Sequence, residues 1–191
     1  MIHNTAIRLG KYMASISESD KEKELVLIYS VEILLNYLIL ILSLAAISIF
    51  LNMLKPELAA FSSVVIYTVT FIFIRRYFGG YHTKSNLACL ILSIIIPMVA
   101  LFVRYYVNFN IFLLLLIYIV GYIMGVKIGT VDNHNKRLSD EEKNNFKIRG
   151  LKVIKIIFVI NIIVYLLGFQ EISDMMTLAV VFGFGNLLFG R

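Results

Sequence analysis

Apolar runs long enough to cross a bilayer recur along this chain, and their recurrence limits the fold before any single residue is considered. They are Glu32–Met53, Leu58–Ile74, Leu87–Val103, Ile111–Val126, a fifth run ending at Phe169, and Met175–Phe189. Crossing the hydrocarbon core takes about 20 helical residues, so 191 residues hold about six spans once connections are counted. Composition agrees: 60% of residues are hydrophobic and 16% charged, with a mean hydropathy of +0.86, against about 45–50% and about 25% in soluble domains. The expected fold class is all-α, a polytopic membrane protein of about six transmembrane helices in a single domain, 1–191.

The ends of the runs carry their own signals. Ser19-Asp-Lys-Glu22 has the S-x-x-E form of a capping box, predicting a helix that starts there and continues into the first span. Lys55-Pro56 stops that span, Arg75-Arg76 the second and Arg104 the third, which holds Pro97 as a kink point. The fifth run reaches span length only if Lys152 and Lys155 snorkel. A Gln170–Asp174 turn is expected before the sixth. Residues 1–30 form an N-terminal segment whose first part fits a weakly amphipathic interfacial helix as well as a polar tail. Nothing in it reads as a cleaved signal, so insertion is expected to rely on the first span.

Orientation follows from the cations. With six spans, 16 of the 18 Lys and Arg residues lie on one side, leaving only Lys55 and Arg104 opposite. Cytoplasmic loops carry the Lys/Arg excess, which predicts cytoplasmic N- and C-termini. A polar basic loop over 127–155 and the stretch 75–89 fall on that same side.

The stretch 75–89, Arg-Arg-Tyr-Phe-Gly-Gly-Tyr-His-Thr-Lys-Ser-Asn-Leu-Ala-Cys, sets a histidine and the chain's single cysteine between two apolar runs. One cysteine forms no internal disulfide. Taken alone it fits a small buried hydrophobe as well as a nucleophile. Ser85 is a candidate N-cap, however, which puts Cys89 in a first helical turn, where the dipole favours an anion. His82 is placed to take the thiol proton. In one continuous helix the two would be about 10.5 Å apart along the axis, against the roughly 2.6–3.2 Å that proton transfer needs. A working pair therefore requires residues 79–84 to be non-helical, and Gly79-Gly80 permits that path.

Arg75-x4-Gly80-x-His82-x6-Cys89 resembles the corresponding segment of the accessory gene regulator protein B (AgrB) family, bacterial multispanning peptidases that mature a quorum-sensing propeptide. Thr130–Lys143 is similar to that family's polar loop, with Arg137 standing where a proline is common. The resemblance implies a membrane cysteine endopeptidase with Cys89 as nucleophile and His82 as base. It would cut the C-terminal tail from an AgrD-like propeptide and pass the acyl group on to a cyclic thiolactone. It further implies a homodimer in the bacterial cell membrane with the active site on the cytoplasmic side. Arg75 is assigned to substrate or oxyanion support, or to anchoring the span, and Gly80 to backbone shape.

Over 127–155 the chain fits either docking of an acidic precursor tail, through Lys136, Arg137, Lys143 and Lys147, or a solvated helix on anionic inner-leaflet lipid. No cofactor, metal or nucleic-acid partner is expected. A set of His3, His82, Cys89 and His134 matches no standard ligand spacing. Glu32, Asn36 and Asn161 are expected at the bundle interior or interface, without an assigned role. The alternative is a small multispanning transporter or channel, which more often carries ionisable groups at mid-span.

Overall fold

The computed structural model describes residues 2–17, 20–80, 86–131 and 138–189, and among them every regular element is helical. The helices are α1 (Ile2–Ile16), α2 (Lys21–Leu54), α3 (Ala60–Phe78), α4 (Asn86–Tyr106), α5 (Ile111–Ile128), α6 (Asp140–Leu166) and α7 (Gln170–Phe189). The chain divides into two compact units, residues 1–47 and 48–191.

In the first unit α1 lies against the first half of α2. Ala6, Gly10 and Ala14 recur every fourth residue on the buried face of α1. A Cβ at Gly10 would stand 2.7 Å from the Ile28 Cα, so the helices meet backbone to side chain. His3 Nδ1 pairs with Glu32 Oε2 at 3.0 Å, which satisfies a carboxylate on an otherwise apolar helix. Helix α2 starts one residue later than the expected capping box: Asp20 Oδ1 accepts from the Lys23 amide at 3.0 Å, while Ser19 lies outside the described residues.

The second unit opens with the end of α2. Lys55-Pro56 terminates that helix as expected, and Pro56–Leu58 forms a single 3-10 turn. Ala59, at φ 42°, has no side chain able to cap α3, and Asn52 Oδ1 takes the Ala60 amide instead. Asn110 caps α5 through Leu113 N at 2.9 Å. Ser139 and Glu142 form the reciprocal capping box of α6, at 3.2 and 2.9 Å. Much of the expected 127–155 loop is therefore helix.

Helix α7 contacts α3, α4, α5 and α6, and it is the most buried of the candidate spans. Small residues let its neighbours close in: a Cβ at Gly183 would stand 2.9 Å from Ile74. Asn161, fully buried on α6, donates to Tyr118 on α5 (3.1 Å) and to Thr177 on α7 (3.0 Å). At the opposite end from Phe78, buried Arg104 of α4 donates to the Leu58 carbonyl (2.6 Å) and meets Glu171 of α7 (2.8 Å).

One sequence expectation changes here. The Gln170–Asp174 segment is the first turn of α7, not a connection. Gln170 donates to Asp174 and to the Phe109 carbonyl, both at 2.8 Å, which ties the amide within and beside the helix. The chain reverses instead at Gly168 (φ 84°), where Gly168 N bonds Tyr165 O and Phe169 N bonds Val164 O in a Schellman closure. The count of about six spans rests on α6. Among the described residues five helices are long and apolar enough to cross a membrane: α2, α3 with its preceding turn, α4, α5 and α7. Helix α6 has 27 residues, and its uncharged part from Ile156 onward is short of the about 20 residues a crossing takes, so it reaches span length only with Lys152 and Lys155 snorkelling.

Candidate active site

Helix α3 runs two residues beyond Arg75-Arg76 and stops at Phe78 because the next two residues leave helical space. Gly79 has φ 75° and Gly80 φ 137°, conformations that side-chain-bearing residues rarely adopt. The helix break expected at Gly79-Gly80 is present, and among the described residues α4 runs from Asn86. Cys89 sits in the first turn of α4 as a half-buried free thiol. His82 and the candidate cap Ser85 lie outside the described residues.

Phe78 anchors this corner. Its ring packs against Phe184 of α7 at 5.2 Å between centroids. It occupies a slot that exists because α5 and α6 carry glycine there: a Cβ at Gly125 would stand 3.0 Å from the ring, and one at Gly150 2.9 Å. The break that follows is thus held at a defined place, since the residue before it cannot slide.

The α5–α6 connection meets the same corner. The Val131 amide donates to the Phe78 carbonyl at 2.9 Å, and Thr130 Oγ1 donates to the Tyr77 carbonyl at 2.9 Å. These bonds take up carbonyls that the end of α3 leaves without helical partners. Thr130 Oγ1 also stands 3.4 Å from the Lys143 carbonyl, and the Lys147 stem passes beside Gly129. Lys143 and Lys147 are therefore at the corner, while Lys136 and Arg137 lie outside the described residues.

Arg75 occupies the last turn of α3, half-buried, with its guanidinium 6.0 Å from the Phe71 ring centroid. Gly80 is buried, and a Cβ there would stand 3.2 Å from Asn186 Nδ2. Sequence reasoning gave Asn186 no role. Its only signal was an amide late in an apolar helix, after Gly183 and Gly185. Together the corner gathers an amide beside Gly80 and cations from α3 and α6, and Cys89 stands in the first turn of the next helix, α4. Among the described residues no three His, Cys, Asp or Glu side chains converge on a metal-sized site.

Comparison with known proteins gives one consistent result. The family model described as Accessory gene regulator B matches residues 6–187. AgrB-like protein 2 of Clostridium perfringens strain 13 is 27% identical over a 194-residue alignment, covering 96% of this chain and 87% of that protein. An AgrB-like protein of Clostridium perfringens strain SM101 is 28% identical over 195 residues, with the same coverage of each chain. No solved structure matches.

Proposed function

This chain belongs to the accessory gene regulator B family, and from that premise we propose that it is a membrane-embedded cysteine endopeptidase acting on an AgrD-like quorum-sensing propeptide. One observation carries the reading: the helix break at Gly79-Gly80 separates α3 from a helix whose first turn presents Cys89. In sequence His82 falls between the break and Cys89, among residues outside those described.

In this mechanism the Cys89 thiolate attacks the carbonyl carbon of the peptide bond before the precursor's C-terminal tail. His82 takes the thiol proton and returns it to the leaving amine, a service worth about 10²–10⁴ in rate. The C–N bond breaks, the tail departs and a thioester remains on Cys89. A thiol within the precursor then attacks that thioester, releasing Cys89 and closing a cyclic thiolactone. Hydrolysis competes with this second step, so the site must exclude water. Packing of Phe78, Phe184 and Leu187 beneath the corner supports such exclusion.

Arg75 steadies the oxyanion or a substrate carboxylate, and Lys143 and Lys147, with Lys136 and Arg137, receive the acidic tail. The cation distribution supports a site on the cytoplasmic side of the bacterial cell membrane, with both termini on that side. The protein works as a homodimer.

Co-expression with the neighbouring propeptide tests the reading. Wild type should release the tail and accumulate an acyl-enzyme that hydroxylamine cleaves, while Cys89→Ala and His82→Ala should abolish tail release at unchanged expression. Processing that survives either substitution refutes the Cys–His mechanism. Alkylation gives a second readout, since a thiolate enzyme reacts fast and independently of pH near neutrality.

A further inference from the structure

Away from the candidate active site, α5 and α6 enclose a groove of about 230 Å³. Tyr118 and Ile154 form its buried floor, and Ile119, Ile123 and Phe158 line its more open part. The Tyr118 hydroxyl is bonded inward to Asn161, so the floor is hydrocarbon and ring surface. One charged side chain lines the groove: Lys155, exposed, with its ammonium 5.3 Å from the Tyr122 ring centroid.

An ammonium on a greasy surface is costly without an anion nearby. Among the described residues no carboxylate pairs with Lys155. Lys152, three residues earlier and also exposed, lies on the same face of α6. Tyr122 is six residues before the end of α5, about 9 Å along the axis. That depth lets Lys155 snorkel to the headgroup level while its stem stays in the groove.

We propose that this groove binds an anionic phospholipid, its phosphate held by Lys155 and Lys152 and one acyl chain laid over Ile119, Ile123 and Phe158. Other occupants fit less well. A two-fold contact between copies across the groove would set Lys155 against Lys155. A partner helix of apolar side chains would cover the lining but leave the Lys155 ammonium without an anion. An anionic lipid supplies both an acyl chain for the apolar lining and a phosphate for Lys155. The assignment stands apart from the peptidase reading and needs no catalysis to test.

The full chain is placed in nanodiscs of equal parts phosphatidylglycerol and phosphatidylcholine, extracted gently and weighed by native mass spectrometry. Wild type should retain phosphatidylglycerol several-fold over phosphatidylcholine. Lys155→Gln should erase that preference, Lys155→Arg should keep it, and Ile123→Trp, which fills the groove, should lower retention of both lipids. Equal retention by wild type and Lys155→Gln overturns the site, as does a change in subunit number without a change in bound lipid. Tyrosine quenching by acyl-brominated lipids tests the wild type without any variant. Stronger quenching by phosphatidylglycerol is expected, and equal quenching by the two lipids overturns the proposal.

Discussion

The Val131 amide donates to the Phe78 carbonyl at 2.9 Å, which makes the connection after α5 leave the bundle beside the glycine pair that ends α3. A Cβ at Gly79 would press into the Val131 carbonyl oxygen. The basic connection and the helix break are therefore one joint, and a disturbance of either reaches the other.

Gly79→Ala should consequently fail on two counts, a positive φ and a collision with backbone that has no rotamer to change. Strain of this kind costs about 1–3 kcal/mol. Thermal unfolding in detergent should show a lower midpoint, together with at least tenfold slower propeptide processing. An unchanged melt with full activity would mean that the joint is not needed.

Gly80→Ala separates crowding from backbone conformation. The new methyl would stand 3.2 Å from Asn186 Nδ2, and the residue would also hold φ 137°. If the conformation dominates, processing falls at least tenfold and trimming Asn186 to Ala does not restore it. Recovery in Gly80→Ala/Asn186→Ala would assign the loss to crowding.

The slot for Phe78 predicts a compensating pair. Gly150→Ala puts a carbon 2.9 Å from the ring and should cost about 1–3 kcal/mol through overpacking. Adding Phe78→Leu should recover part of that loss, giving a favourable coupling energy in a double-mutant cycle. Purely additive losses would show that α6 and the end of α3 do not share this space.

Arg104 joins three helix ends through Leu58 O and Glu171. Arg104→Met should destabilise the protein by about 1–3 kcal/mol, mainly through the lost buried bond to the carbonyl, because Glu171 is half exposed and its pairing is weakened by solvent. Arg104→Lys should recover little, as one ammonium lacks the guanidinium's fork. Chemical denaturation in mixed micelles reads both, and full rescue by lysine would reduce the contact to charge alone.

Apolar runs made most of the helices readable, because their lengths and the charges bounding them follow from the bilayer alone. Helix α6 was harder to read: its first half is polar and pairs with the bundle through Gly150 and Ile154, so hydropathy placed a loop there. A closer look at Ser139-x-x-Glu142 would have marked its start. The reversal at Gly168 was missed because Gln170–Asp174 looks like a turn until Phe109 O and Arg104 are known to stand beside it. At the candidate site, the glycine break and the helix start holding Cys89 were legible from local chemistry. Asn186 was not, since its position beside Gly80 depends on how α7 threads among four other helices.

Helix α7 also leaves the ribosome after the four helices it packs among. Helices α3 to α6 must enter the bilayer while the place of their common neighbour is still vacant, and Asn186 reaches Gly80 only after all four have been made. A nascent chain thus carries its thiol long before it carries the completed corner, and a prematurely halted chain never acquires it.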